Sequence, residues 1–203
     1  MPRPRAFDED TALAAATNAF WRHGYAATSV RDLGAAMGLG PASLYNAFGD
    51  KQALFARCLD RYLDQGLRAR LARLEAEAPP RAAIEAFLGD ILARALGDPR
   101  GCLLVNSALE VTPEEGAPGA TLARWFMELE GFFLRCLQAG QRDGSIAPQR
   151  PAEDLARLLL GTVMGLRVLG RAGADPESPR GMLRAALSLL DTPLPDPLPE
   201  TPR

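Results

Sequence analysis

The segment 28–51, TSVRDLGAAMGLGPASLYNAFGDK, constrains the fold more than any other part of the chain. Its apolar spacing predicts two short helices separated by a tight turn and followed by the start of a third helix. Gly38 permits the left-handed backbone that such a turn requires. The second helix is too short and too polar to be a core element. The segment therefore predicts a helix-turn-helix, in which a short helix is held out from the core so that it can enter the major groove of DNA.

Helical spacing of apolar residues continues along the rest of the chain, whereas the period-2 alternation of strands does not appear. The sequence therefore predicts an all-α protein of about nine helices, punctuated by Pro and Gly. The predicted helices cover residues 8–23, 30–37, 41–48, 51–78, 80–97, 102–110, 120–142, 152–171 and 178–190. A loop is predicted at 112–119, before the seventh helix.

Three parts follow from this organisation. Residues 1–52 form the predicted helix-turn-helix domain, which begins with a flexible arm (residues 1–7) carrying Arg3 and Arg5. Residues 53–191 form a larger helical domain for ligand binding and dimerisation. Residues 192–203 contain five prolines in twelve positions, a composition typical of a disordered tail.

Composition narrows the function classes. The net charge of −2 gives no global argument for nucleic-acid binding. The polar start and the absence of a run of about 18 apolar residues predict neither a signal peptide nor a membrane span. Cys58, Cys102 and Cys136 are an odd, widely spaced set that fits neither disulfides nor a zinc site and suits the cytoplasm. We find no catalytic motif and no metal or cofactor site; His23 is the only histidine and receives no such role.

The predicted third helix has an apolar side and a polar side. Leu44 and Phe48 lie one turn apart and can anchor it in the core. Ser43 on the opposite side can reach a base edge, and Pro41 or Ala42 can contact a thymine methyl group. Tyr45 is long enough to reach a phosphate. Lys51 stands in the first turn of the next helix, where the helix dipole disfavours a cation, so a nearby phosphate would account for it.

Taken together, these residues resemble the TetR family of transcriptional regulators over about residues 8–60. The resemblance is carried by Phe20, Gly24, Tyr25, Thr28, Ser29, Leu33, Ala36, Gly38, Leu39, Ser43, Leu44, Tyr45, Phe48, Lys51, Leu54 and Phe55. It implies that Thr28 and Ser29 cap the second helix and touch phosphate, and that residues 40–43 lie against base edges. The DNA-contacting set that we infer is Thr28, Ser29, Arg31, Gly40, Pro41, Ala42, Ser43, Tyr45, Asn46 and Lys51.

One feature departs from this family, whose DNA-binding domains are often basic. Residues 1–51 contain five Lys/Arg and five Asp/Glu residues, which cancel to a net charge of zero. Binding would therefore depend on a few well-placed contacts and on a dimer that doubles them.

A two-fold dimer predicts an inverted-repeat operator. The last two helices are the best candidates for its interface, because they carry broad apolar stripes and Gly161 and Gly165 would permit close helix approach. The predicted interface residues are Leu155, Leu158, Leu159, Thr162, Leu166, Leu183 and Leu187. The alternative is that these stripes fill only the core of the monomer.

Large apolar residues and a few polar groups in the C-terminal part suggest a cavity for a small hydrophobic or electrophilic inducer. The candidates are Phe87, Ile91, Cys102, Asn106, Trp125, Phe126, Phe133 and Met164; the alternative is ordinary core packing. Cys102 stands near a predicted helix N-terminus, which favours a reactive thiolate, with Arg100 adjacent. It is either a redox or electrophile sensor or a small buried residue.

The sequence therefore predicts a DNA-binding transcriptional regulator, most simply a homodimeric repressor that an inducer releases from its operator. A second hypothesis is an all-helical small-molecule-binding protein or enzyme without DNA binding, although the missing catalytic motifs argue against the enzyme. A third is a helical adaptor, which would need an exposed apolar groove.

Overall fold

The computed structural model of the chain describes residues 7–112, 114 and 116–191. The described residues are helical and contain no strand, which confirms the predicted all-α class. The helices are α1 (Glu9–His23), α2 (Val30–Met37), α3 (Pro41–Phe48), α4 (Lys51–Tyr62), α5 (Arg68–Glu77), α6 (Pro80–Gly97), α7 (Leu103–Ser107), α8 (Gly116–Asp143), α9 (Ala152–Arg171) and α10 (Glu177–Ser188). Arg3 and Arg5 of the predicted arm, the loop residue Pro113 and the predicted tail at 192–203 lie outside the described residues.

The start of α2 and the turn after it follow from their own residues. The Ser29 hydroxyl accepts a hydrogen bond from the Asp32 amide at 3.2 Å, and the Asp32 carboxylate accepts one from the Ser29 amide at 3.0 Å. This reciprocal capping box satisfies two amides at the helix N-terminus. Gly38 ends the helix in the left-handed conformation (φ 66°, ψ 28°), as its position in the sequence predicts.

The single helix predicted over 51–78 is wrong. A five-residue π-helical segment, Leu63–Leu67, separates α4 from α5, and within it Gly66 has a non-helical backbone (φ 159°, ψ −24°). Leu63 remains fully buried, so the apolar periodicity continues across the break and conceals it. Glycine tolerates this conformation because it has no Cβ.

Several other helix boundaries differ from the sequence prediction. Helix α7 has only five residues, and residues 108–110 form turns rather than continuing to Glu110. Helix α8 begins at Gly116, so the second half of the predicted loop at 112–119 is its first turn. Pro118 is accommodated there because an amide in the first turn would have no intrahelical partner. Helix α9 has the predicted bounds, and α10 ends two residues before the predicted Leu190.

One apolar cluster runs from α1 through α4 to the C-terminal helices. Its centre is a set of phenylalanine rings from α6 and α8: Phe87 lies 5.6 Å from Phe132 and 5.7 Å from Phe133, measured between ring centroids. Helix α4 packs against both α1 and α8. The helices that carry α3 are therefore joined to the C-terminal helices through α4.

Most of the predicted dimer residues lie inside this cluster. They are buried in the chain itself because α9 packs against α6, α8 and α10 at once. The buried residues are Leu155, Leu159, Thr162, Leu166 and Leu183. Leu158 is 42% exposed, and Leu187 is half-buried.

Candidate DNA-binding surface and ligand cavity

One side of α3 faces solvent, as its sequence predicts. Leu44 and Phe48 are buried, and the guanidinium of Arg57 on α4 lies 4.9 Å from the centroid of the Phe48 ring. These contacts hold α3 against the underlying helices. The exposed side carries Gly40, Pro41, Ala42, Ser43, Tyr45 and Asn46.

Small residues dominate the N-terminal half of this exposed side. A Cβ added at Gly40 would meet no atom within 4 Å, so the backbone is open to an approaching molecule. Tyr45 projects further and is 52% exposed, an unusual exposure for a large aromatic residue. Ser29 and Arg31 of α2 are exposed as well. The small residues would let the protein backbone approach the base edges in a DNA groove, and the longer polar side chains around them could reach the phosphates on its rim.

Thr28 does not belong to this surface, which corrects the sequence prediction. Its side chain is 1% exposed, and its hydroxyl donates to the Gly24 carbonyl oxygen at 2.6 Å. The turn between α1 and α2 brings these two groups together. Ser29 is the N-cap of α2, whereas the buried Thr28 hydroxyl stabilises the turn between α1 and α2.

Lys51 is held by an aromatic ring. Its ammonium nitrogen lies 4.4 Å from the centroid of the Tyr25 ring, which in turn stacks on Phe55 at 4.7 Å. This cation–π contact explains how a lysine is accommodated in the first turn of α4. It also fixes the charge at the end of α3, where the Asp50 carboxylate caps α4 by accepting from the Ala53 amide at 2.8 Å.

A cavity of about 330 Å³ lies between the C-terminal helices, the π-helical segment and α1. Its volume is near the lower end of the range, roughly 300–1,000 Å³, that is common for small-molecule sites. Its lining residues come from both ends of the chain: Trp21, Tyr62, Gln65, Gly66, Leu67, Arg70, Phe87, Asp90, Ile91, Arg94, Cys102, Trp125, Val163 and Arg167.

Half of the predicted ligand-binding residues line this cavity and half do not. Phe87, Ile91, Cys102 and Trp125 are among the lining residues, and the other four, Asn106, Phe126, Phe133 and Met164, are absent from them. The Asn106 amide donates instead to the Arg100 carbonyl oxygen at 2.8 Å. Phe133 packs in the phenylalanine cluster, and Phe126 lies beside Trp125 with ring centroids 4.9 Å apart.

The cavity is more polar than the sequence predicts. Arg70 and Arg94 both form ion pairs with Asp90, the latter at 2.6 Å, and Arg167 of α9 is 5% exposed. Burial raises the pKa of Tyr62, so this hydroxyl stays protonated. Sequence reasoning missed Arg167, although an arginine four residues after Val163 on an apolar stripe was a signal that could have found it.

Cys102 is buried but not enclosed by protein on every side. Its side chain is 6% exposed, its sulfur accepts from the Tyr62 hydroxyl at 3.8 Å, and it lines the cavity. Arg100, predicted to assist a thiolate, is engaged elsewhere: it pairs with Asp98 at 2.8 Å and lies 4.0 Å from the centroid of the Trp21 ring. The sulfur is therefore reachable from the cavity rather than from bulk solvent.

Two contacts connect the cavity region with the helices around α3. Trp21 belongs to α1 and meets the Tyr62 ring edge to face at a centroid distance of 5.1 Å. Glu110, after α7, accepts a hydrogen bond from the Ala26 amide at 3.1 Å, in the turn before α2. Trp21 and Tyr62 line the cavity and belong to α1 and α4, so the cavity wall includes parts of the helices that hold α3.

Other kinds of site find no support in the described part of the chain. No group of three or more His, Cys, Asp and Glu side chains there is arranged to hold a metal ion. None of the helices described has the length and apolar character needed to cross a bilayer.

Family models match both the N-terminal and the C-terminal part of the chain. Residues 12–58 match the family model "Bacterial regulatory proteins, tetR family", and residues 80–186 match "Tetracyclin repressor-like, C-terminal domain". The transcriptional repressor ComR of Escherichia coli is 33% identical over 181 residues, which cover 86% of this chain and 85% of that protein. DhaR, a transcriptional repressor of a Mycobacterium species, is 29% identical over 73% of this chain and 75% of its own length.

A solved structure extends this likeness to three dimensions. A cysteine mutant of the TetR family transcriptional regulator CifR, in complex with 26-base-pair operator DNA, is 37% identical and has a TM-score of 0.80. The match covers 92% of this chain and 98% of that one.

Proposed function

The chain belongs to the TetR family of bacterial regulators, and we propose that it is a transcriptional repressor that binds an inverted-repeat operator as a homodimer. The observation that carries this proposal is the exposed side of α3, anchored from behind by Leu44 and Phe48. A surface of small residues bordered by Ser43, Tyr45 and Asn46 is suited to the major groove, because the backbone can approach closely while polar side chains reach base edges and phosphates. CifR, which shares the fold, has been solved with its operator.

Each predicted DNA contact except the buried Thr28 has a role in this proposal. Gly40, Pro41, Ala42 and Ser43 lie against base edges, and Asn46 contacts a base or a phosphate. Ser29, Arg31, Tyr45 and Lys51 contact the backbone of the DNA. Lys51 contributes a charge that the Tyr25 ring keeps in position.

The homodimer is supported by what remains exposed on α9. Leu158, Gly161 and Val168 share one side of that helix, with Leu158 42% and Val168 45% exposed. A Cβ at Gly161 would meet no atom within 4 Å, so a second helix can approach there. Gly165, in contrast, packs against Met182 of α10 in the same chain. The interface that we propose is therefore this narrow stripe together with Leu187 of α10.

The inducer would bind the cavity and weaken operator binding. Gln65, Gly66 and Leu67 form one wall of the cavity directly after α4, and Trp21 of α1 forms another. A ligand that favours a different arrangement of this wall would shift α4 and α1, and with them α3. The apolar walls suit a small inducer with an apolar body, and the Cys102 sulfur in the same cavity leaves an electrophilic inducer as the second candidate.

This proposal does not include catalysis, because the relatives named above are regulators and the sequence predicts no catalytic motif. It assigns DNA recognition to residues 1–52 and ligand binding and dimerisation to 53–191. A protein that binds chromosomal operators acts in the cytoplasm.

A gel shift with the promoter region next to the gene tests the proposal. We expect a specific shift on an inverted repeat, which unrelated DNA does not compete away. Ser43→Ala should change the sequence preference, because it removes from the α3 face a hydroxyl that can reach a base edge. Ser178→Ala, at an exposed serine of α10, is the matched control and should bind as the wild type does. Absence of a specific shift on every inverted repeat in that region would refute the proposal.

A further inference from the structure

Arg167 is the least satisfied charged side chain of the cavity. It is 5% exposed, and its Nε and Nη1 atoms are buried with no hydrogen-bond acceptor in range. No carboxylate of the described residues forms an ion pair with it within 4 Å. A guanidinium stays charged at any physiological pH, so it cannot relieve its burial by losing a proton. A buried, unpaired charge is costly, which points to a partner that enters from outside.

Two more donors line the same cavity without an acceptor. The indole nitrogens of Trp21 and Trp125 are buried, and neither finds a hydrogen-bond partner. An indole N–H can only donate, so it requires an acceptor. Three side chains that line this cavity, from α1, α8 and α9, therefore each carry at least one buried donor without an acceptor.

The charges of the lining have an excess of positive sign. The lining contains three arginines, Arg70, Arg94 and Arg167, and one carboxylate, that of Asp90. Asp90 forms ion pairs with Arg70 and Arg94. The pKa of Asp98 is lowered chiefly by its hydrogen bond with Arg100 and to a smaller extent by the charge of Arg167, and this carboxylate pairs with Arg100 at 2.8 Å. The Tyr62 hydroxyl adds no negative charge, because burial raises its pKa. No acid in the described lining is thus left over for Arg167.

We infer that this cavity binds a small organic carboxylate, with Arg167 as its counter-ion and the Trp21 and Trp125 indoles as further donors. The planar guanidinium matches the geometry of a carboxylate, which supplies the missing acceptors. Phe87, Ile91 and Val163 provide apolar walls for the rest of the molecule. A neutral apolar ligand would leave the same donors buried and unsatisfied. The inference rests on the proposed function only where it identifies this anion as the inducer.

Matched acids and amides test the charge requirement. Both tryptophans of the chain line the cavity, so intrinsic fluorescence reports on its occupancy. We expect benzoate and hexanoate to change the fluorescence saturably and to raise the melting temperature at millimolar concentrations. Benzamide and hexanamide, of equal size but without charge, should do neither. Equal binding of acid and amide, or no binding of either acid, would overturn the inference.

Variants on α9 test the assignment to Arg167. Arg167→Met should weaken binding of the acids by about tenfold to a hundredfold, the usual contribution of hydrogen bonds to a charged group. Arg157→Met, at an exposed arginine of the same helix, is the matched control and should bind as the wild type does. Without added anion, Arg167→Met should unfold at a urea concentration at least as high as the wild type, because it removes an unpaired buried charge. A lower midpoint, or unchanged binding, would assign Arg167 a merely structural role.

The gel shift separates this inference from the proposed function. The fluorescence titration needs no DNA, so a protein that fails to bind any operator can still confirm or refute the carboxylate site. If the acids bind and operator binding is unchanged, the carboxylate site stands and its identification as the inducer site fails.

Discussion

The exposed face of α3 and the cavity are built in opposite ways. The α3 face consists of neighbouring residues, 40–46, on one short helix whose orientation two apolar side chains fix. The cavity gathers residues from α1, α4, α5, α6, α8 and α9, together with the π-helical segment and Cys102 before α7. The face leaves its polar groups in water until DNA arrives, whereas the cavity buries donors that have no partner within the chain.

This difference predicts how substitutions in each site affect folding and binding. On the α3 face, polar side chains can be replaced with little effect on folding, because water already satisfies them. Around the cavity, binding and stability are coupled, because each lining residue is also a packing residue.

The largest effect is expected for the anchor beneath the α3 face. Leu44 is fully buried, so Leu44→Ala should lower the free energy of unfolding by about 2–5 kcal/mol and abolish specific operator binding. Urea unfolding and gel shift measure the two effects. Ser43→Ala, one residue earlier and exposed, should change stability by less than about 0.5 kcal/mol. Equal losses of stability in both variants would show that the exposed residues of the α3 face contribute as much to folding as the buried Leu44.

A smaller effect, restricted to binding, is expected at Lys51. Lys51→Ala should weaken operator binding by about 1.5–3 kcal/mol per protomer on every sequence, because the lost contact is to phosphate. The slope of log affinity against log salt should become shallower by about one per bound protomer. Lys51→Arg keeps the charge over the Tyr25 ring and should keep the slope. An unchanged slope in the alanine variant would remove Lys51 from the contact surface.

Two glycines in the C-terminal part should respond with opposite signs. Gly66 has a non-helical backbone in the cavity wall, so Gly66→Ala should cost about 1–3 kcal/mol of stability and alter ligand binding. Gly89 is exposed inside α6, and a Cβ there would meet no atom within 4 Å. Gly89→Ala should therefore stabilise the protein by about 0.5–1 kcal/mol. Urea unfolding decides the signs, and stabilisation by both substitutions would mean that the break at Gly66 is not needed.

The smallest effect is expected at the N-terminus of α2. Ser29→Ala removes one half of the capping box and should lower the unfolding free energy by about 1 kcal/mol. Ser29→Thr retains a hydroxyl and should lose less. The Asp32 carboxylate, whose pKa the Ser29 hydrogen bonds lower, stabilises the fold above its unfolded pKa, and this contribution is lost as the pH falls through the lowered value. The alanine variant should show a weaker acid dependence; an unchanged dependence would contradict this account of the cap.

Much of the fold was predictable because its signals are local. Ser29, Gly38 and the Leu44/Phe48 pair each act within one turn of helix, so their positions in the sequence are enough to predict a cap, a turn and an anchored helix. The break at Gly66 escaped prediction because Leu63 keeps the apolar period across it. The burial of Thr28 could not be predicted, because the local sequence pattern does not show how the turn before α2 folds. In the structure this turn brings the Thr28 hydroxyl to the Gly24 carbonyl oxygen.

The apolar stripes of α9 and α10 do not by themselves show whether they face the core or a partner chain. Apolar periodicity tells which residues avoid water but not which surface covers them. Leu155 and Leu166 are covered by the chain's own helices, while Leu158 on the same helix stays exposed. Only the packing of α9 among three neighbours distinguishes these cases.

The all-α class, most helix boundaries and the α3 face can be predicted from the sequence, because propensity, capping and apolar spacing act between residues close along the chain. The cavity and its charge arise only from tertiary packing. Trp21 and Arg167 are far apart in sequence, and no local rule relates them; they share a cavity because α1 and α9 pack on either side of it. The burial that leaves Arg167 without an acceptor arises only when those helices meet.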